Sequence, residues 1–267
     1  MSAAVDWVVN CSILFTDLDL LDRPAAAARA GFDAVEFWWP FSSATPSDRD
    51  VDRFAGAVEQ AGVRLWAMNF YGGDLITGER GLASDPTRTA EFRDNADAAI
   101  AIGRRLGIRM FNVLYGNRLP GLDPREQDEL AAENLAYAGR AASQIGAVIL
   151  IEPLSAVPTY PLRSAAEGVA VLDRVRAEHQ VTDLRLLADL YHLAVNGDDV
   201  PTAIAKYADR IGHVQIADHP GRGMPGTGNV DLVGQLDLLV AHGYRGRVAL
   251  EYSSTAADPF AWMPPRR

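Results

Sequence analysis

From Arg109 to Pro153 the chain reads RMFNVLYGNRLPGLDPREQDELAAENLAYAGRAASQIGAVILIEP. A short apolar run, RMFNVLYG, leads into a segment of helical period from Pro124 to Ile145, then Gly146, then a second apolar run, AVILIEPL. Apolar residues recurring at helical spacing line one side of a helix, whereas short apolar runs bounded by turn residues read as buried strands. A glycine just past the last periodic residue is what a helix C-terminus prefers. The stretch is therefore strand, helix, strand, and strands joined through a helix run parallel.

The same unit recurs in both directions. The remaining strand-like runs are WVVNCSILF, AVEFWW, RLWAMNFY, LRLLADLYH, GHVQIAD and RVALEY, which makes eight in all. Helices are predicted over Pro24 to Ala30, Asp48 to Ala61, Thr87 to Leu106, Ser164 to His179, Val200 to Ala208 and Val230 to His242, and Gly31, Gly62, Gly107 and Gly243 stand where several of them should stop. Eight strands alternating with helices in roughly 250 residues fit an α/β protein of the (β/α)8 TIM barrel type. A doubly wound open sheet is the rival, but the Gly-rich phosphate turn after its first strand is missing. No linker or low-complexity stretch divides the chain, so residues 1–267 are expected to form one domain, with PPRR at the end as a loose tail.

Composition narrows the partners. At 48% hydrophobic and 22% charged the chain can bury a sizeable core. Its net charge of -10 argues against nucleic acid or an anionic membrane surface, which would repel it. Cys11 is the single cysteine, so no disulfide framework exists. No run is apolar enough to span a bilayer, and the N-terminus lacks a signal-peptide pattern. A cytoplasmic protein is expected, with oligomeric state left open, a homo-oligomer included.

In such barrels chemistry sits at the C-terminal ends of the strands. Side chains alternate along a strand between barrel interior and helices. Ile149 and Ile151 take one face of VILIEP, leaving Glu152 with Val148 and Leu150 on the other. Asp189 shares its face with Leu187, Gln215 with His213 and Ala217, and Glu251 with Ala249. Four polar side chains from the fifth to the eighth strand would then converge near the top of the barrel. Three are carboxylates, which cannot share a partly dry site without a compensating cation. An all-oxygen set, with Gln215 contributing its carbonyl, favours one hard divalent ion such as Mg²⁺ or Mn²⁺.

With these residues in hand, FDAVEFWWP, GDLITGERGLASDP, IEPLS, ADLYH, HVQIADHPGR, PGTG and EY resemble the hydroxypyruvate isomerase family, within the wider group of xylose isomerase-like barrels that includes ketose 3-epimerases. The wider group commonly carries His where Gln215 stands, and the hydroxypyruvate isomerase branch carries Gln. The resemblance implies an enzyme that interconverts hydroxypyruvate and tartronate semialdehyde through a cis-enediolate. It implies Glu152, Asp189, Gln215 and Glu251 as metal ligands and Glu152 with Glu251 as the acid/base pair. His192 resembles the substrate-contacting histidine of the group.

Arg222, in HPGRG, is the candidate for a substrate carboxylate, because a guanidinium can engage it bidentately. Glu36 has inward parity on the second strand and could bond a substrate hydroxyl. His213 lies one inward layer below Gln215 and reads as a support for the ligands or as core. Trp38 is a candidate pocket wall, and YGGDLITGERGL is long and Gly-rich, as a loop over a site would be. Met224 and Asn229 stand where many family members have Glu, which questions the substrate more than the chemistry. The alternatives are a 2-oxo-tetronate isomerase or ketose 3-epimerase, a nuclease of the endonuclease IV type, and a ligand-binding barrel without catalysis. Five histidines are few for the several-His zinc cluster of such a nuclease, and binding alone would not need an acid/base pair.

Overall fold

A computed structural model describes residues 5–263, and the PPRR segment lies outside them. The strands are β1 (Trp7–Asn10), β2 (Ala34–Phe37), β3 (Arg64–Asn69), β4 (Met110–Val113), β5 (Val148–Ile151), β6 (Leu184–Asp189), β7 (Ile211–Ile216) and β8 (Val248–Leu250). Each pairs in parallel with the next, and β8 pairs with β1, so the sheet closes in sequence order. The helices are α1 (Arg23–Arg29), α2 (Asp48–Ala61), α3 (Thr89–Leu106), α4 (Pro124–Ser143), α5 (Ala165–His179), α6 (Leu190–Val195), α7 (Val200–Tyr207) and α8 (Leu232–Ala241). This is the (β/α)8 barrel that the strand and helix rhythm predicts.

Strand parity sets which side chains reach the interior. Ile149, Ile151, Val214, Ile216, Val248 and Leu250 belong to the large core between sheet and helices. Leu150 and Leu187 pack with Ala67 and Met110 inside the barrel, and Ala249 packs with Val8 and Ala34 in a second interior group. Trp66 touches both groups and plugs the lower barrel. Below it Arg247 and Arg64 stack on the indole and share Asp33, closing the face opposite the site. Each fully buried Ile or Leu in these layers contributes about 1.5–3 kcal/mol.

Local signals explain the helix limits. Ser164 and Glu167 form a reciprocal capping box that starts α5. α3 stops at Gly107, whose φ of +73° suits a residue without Cβ. Several runs are strand over only part of their length: WVVNCSILF, for one, is strand only to Asn10. LRLLADLYH is not a strand throughout: β6 ends at Asp189, whose Oδ1 accepts the Tyr191 N–H at 2.9 Å and caps α6. His192 thus sits on a short helix of six residues, tethered to the top of the sheet.

Among the described residues no helix is long and apolar enough to cross a membrane.

Candidate active site

A cavity of about 410 Å³ opens at the C-terminal end of the barrel, with Trp38, Arg80, Glu152, His192, Arg222 and Glu251 in its wall. Glu152 follows the last residue of β5, Asp189 ends β6, Gln215 is in β7, and Glu251 follows β8. All four are buried. Asp189 and Gln215 are register partners across β6 and β7, which fixes them side by side.

Each carboxylate is held by specific donors. Glu152 Oε2 accepts from Asn112 Nδ2 at 2.6 Å, and the Tyr160 hydroxyl donates to the Glu152 carbonyl at 3.0 Å. Burial first, and then the neighbouring charge of Asp189, pushes the Glu152 carboxyl up to about 8. Glu251 Oε1 accepts from Trp38 Nε1 at 3.1 Å and Arg222 Nη2 at 2.7 Å. Burial also drives Glu251 well above the carboxylate range, against the pull of Arg222. The Arg222 Nη2 donates in addition to Asp189 Oδ2 at 3.1 Å.

Of five buried side-chain oxygens without a hydrogen-bond partner among the described residues, two, Gln215 Oε1 and Glu251 Oε2, belong to this set of four. Leaving a buried acceptor unsatisfied costs about 1–3 kcal/mol. The Gln215 amide is not free to turn away, because its Nε2 donates to Glu36 Oε1 at 2.7 Å. Glu36 Oε1 also accepts from Asn10 Nδ2 at 2.9 Å, and Oε2 meets His213 Nε2 at 2.7 Å. Like Asp189 and Gln215, Glu36 does not line the cavity. It is tied up beneath the site, and with His213 it points the Gln215 carbonyl.

His192 is fixed from behind. Its Nδ1 accepts the backbone N–H of Ser155 at 3.1 Å and lies 2.7 Å from the Ser155 hydroxyl. Since a backbone N–H only donates, Nδ1 carries a lone pair, and the hydrogen-bond network assigns the proton of the neutral ring to Nε2. Burial lowers the imidazole to about 4, opposed by Asp189 and aided by Arg222 and Arg80, so the ring is neutral at pH 7. Nε2 lies 3.6 Å from Asp189 Oδ2 and 3.9 Å from Glu152 Oε1. Ligand atoms of Glu152, Asp189 and His192 fall within 4.8 Å of one another, a group that could hold a metal ion.

Arg222 arrives on the loop after β7, which Asp218 organises by accepting four backbone N–H groups, from His219, Gly226, Gly228 and Val230. Arg222 itself has φ +52°, and its Nε donates to the Glu251 carbonyl at 3.1 Å. Tyr191 lies under the guanidinium at 5.6 Å. Met224 and Asn229 belong to this loop but not to the cavity wall. Several contributors escape a reading of the sequence one motif at a time. Asn10 and Asn112 have the same inward parity as the four site residues, so extending the alternation test to β1 and β4 would have found them. Arg80 offers no comparable signal.

The comparisons with known proteins point one way. Residues 24–265 match the xylose isomerase-like TIM barrel family. A Streptomyces coelicolor protein, given the name hydroxypyruvate isomerase provisionally, is 51% identical over 96% of this chain and 94% of its own length. The hydroxypyruvate isomerase of Escherichia coli K12 is 32% identical over 97% of this chain and 98% of its own. A crystal structure from Brucella melitensis, described as an AP endonuclease of family 2, superposes with a TM-score of 0.87 at 32% identity and covers 97% of both chains. Built on a closed eight-stranded barrel with its acidic cluster at the C-terminal rim, the chain belongs to the hydroxypyruvate isomerase family of xylose isomerase-like TIM barrels.

Proposed function

We propose that this protein is a divalent-metal isomerase that interconverts hydroxypyruvate and tartronate semialdehyde. The observation that carries the reading is the pair of buried, unpartnered oxygens, Gln215 Oε1 and Glu251 Oε2, beside two further buried carboxylates. Glu152, Asp189, Gln215 and Glu251 would hold the ion. An all-oxygen set would suit Mg²⁺ or Mn²⁺, and Glu152 and Asp189 of it lie, with His192, in the group whose ligand atoms fall within 4.8 Å of one another. When bound, such an ion polarises the substrate carbonyl and acidifies the adjoining C–H.

The chain's own groups supply the rest. One of Glu152 and Glu251 takes the proton from the hydroxymethyl carbon of hydroxypyruvate, and the other returns a proton to the neighbouring carbon, with the hydroxyl proton passing between the two oxygens. Atoms balance and no oxidant is needed. The His192 Nε2–H is placed to donate to a substrate oxygen as negative charge develops on it. Trp38 and Tyr191 in the cavity wall exclude water. Arg222 keeps Asp189 and Glu251 oriented.

A second reading has its own support. The wall residues Trp38, Asn69, Leu75, Ile76 and Leu114 also line an adjoining space of about 440 Å³, which leaves room for a longer chain. A Cupriavidus necator relative, 31% identical over 97% of both chains, is named 2-oxo-tetronate isomerase. The endonuclease description of the Brucella melitensis structure finds less support, since the metal-capable group among the described residues has one histidine. The test is turnover of hydroxypyruvate, a 2-oxo-tetronate and a free ketose by protein supplied with Mn²⁺, read by proton NMR. Hydroxypyruvate is expected to give the highest kcat/KM. Turnover of the ketose alone would overturn the assignment.

A further inference from the structure

The loop from Tyr71 to Arg88, between β3 and α3, is built as a closed turn rather than a loose strap. The Gly81 N–H donates to the Gly72 carbonyl at 2.8 Å, pinning its two ends together. Gly81 has φ +101°, and a Cβ there would collide with the Leu114 carbonyl, so the pinned end tolerates no side chain. Asp74 Oδ1 accepts the N–H groups of Ile76 and Thr77. Glu79 is committed on both oxygens, to Arg88 Nη1 at 2.7 Å and the Asp74 N–H at 2.6 Å. Asn117 Nδ2 donates to the Gly78 carbonyl from the neighbouring loop.

This framework presents Arg80 to the cavity. Arg80 lines the same wall as Glu152, His192 and Glu251. Its Nη1 donates to the Leu75 and Glu79 carbonyls, at 2.9 and 2.6 Å, which orients the guanidinium. It makes no ion pair among the described residues, whereas Arg222 spends Nη2 on Asp189 and Glu251, and Arg88 spends its charge on Glu79 and Glu91. A half-buried guanidinium that is pre-oriented, unpaired and set in the wall of a substrate cavity is an anion site in search of its anion.

We propose that Arg80 binds the carboxylate of the substrate and so selects an α-hydroxycarbonyl acid over a neutral sugar. The inference rests on the isomerase reading and relocates a task that the sequence assigns to Arg222. Arg222 is held in place as the counter-charge of the acid cluster, and Arg80 has nitrogen donors to spare.

The experiment compares wild type, R80Q and R80K, all supplied with Mn²⁺. For hydroxypyruvate, R80Q should raise KM by roughly 30-fold or more, as loss of a charge-assisted hydrogen bond implies, with kcat changed far less. R80K should recover part of the loss. Any turnover of neutral dihydroxyacetone should fall far less in R80Q than that of hydroxypyruvate. Calorimetric binding of glycerate, an unreactive hydroxy acid, should weaken in R80Q by the same factor as KM rises. Unchanged KM and glycerate affinity in R80Q would overturn the proposal, and so would equal losses on hydroxypyruvate and dihydroxyacetone, which would make Arg80 a brace of the loop. If wild type turns over no acid, the isomerase reading fails by itself. Glycerate binding then still decides Arg80: weakened binding in R80Q keeps the anion site, and unchanged binding removes it.

Discussion

Glu251→Gln is expected to lower kcat for hydroxypyruvate by roughly 10³-fold or more while the barrel stays folded, since positioned proton transfer commonly supplies about 10²–10⁴-fold. The amide matches the carboxylate in shape and keeps an acceptor for Trp38 Nε1 and Arg222 Nη2. It cannot take a proton. Glu152→Gln should be comparably slow, because the proton has to be both removed and returned. The double variant should be little worse than either single one, as groups that act in one sequence are far from additive. Steady-state rates with circular dichroism as a check on folding decide it. An E251Q protein within tenfold of wild type would remove Glu251 from the chemistry.

Stripping the divalent ion should abolish turnover and also reshape stability against pH. Glu152 is raised to about 8 by burial and by Asp189, and Glu251 is raised well above its usual range by burial. A carboxyl whose folded pKa exceeds its unfolded value makes the folded protein bind more protons in the interval between the two. Its stability contribution is present below about pH 4.5 and is lost as pH rises toward the folded value. His192, lowered to about 4 by burial, acts in the opposite sense, but only up to its unfolded value near 6.5. Between about pH 6.5 and 8 the carboxyls act alone, so Tm of the metal-free protein should fall across that window. Added Mn²⁺ should raise Tm strongly at pH 8 and little at pH 5, by binding the ionised form. A thermal melt indifferent to Mn²⁺ at pH 8 would contradict a metal site at these residues.

The barrel was legible because its signals are local. Pro124 to Ser143 is periodic, bounded by short, mostly apolar strands, and that rhythm repeats around the chain. The inward placement of Glu152, Asp189, Gln215 and Glu251 follows from alternation, since each lies within one residue of a strand end and its strand neighbours face the helices. What the sequence withheld lies in contacts between distant loops. Trp38 reaches Glu251 across 213 residues, and Ser155 sets the His192 tautomer across 37. Glu36 has the same parity as the ligands, yet Asn10, His213 and Gln215 consume it, which only the packed interior can decide. Arg80 lies in a loop with no period to read, and its direction comes from two main-chain carbonyls and the pinned glycines.

Glu152 and Glu251 are proposed to move a proton at the carbon next to a carbonyl, in a site that a divalent ion completes. Hydroxypyruvate incubated in D2O with the Mg²⁺-loaded protein tests it most directly, with proton NMR following the hydroxymethyl signal. This signal should be lost to deuterium as tartronate semialdehyde forms, and chelation of the ion or E251Q should stop both. Retention of the full hydroxymethyl signal by wild-type protein with the ion bound would contradict it.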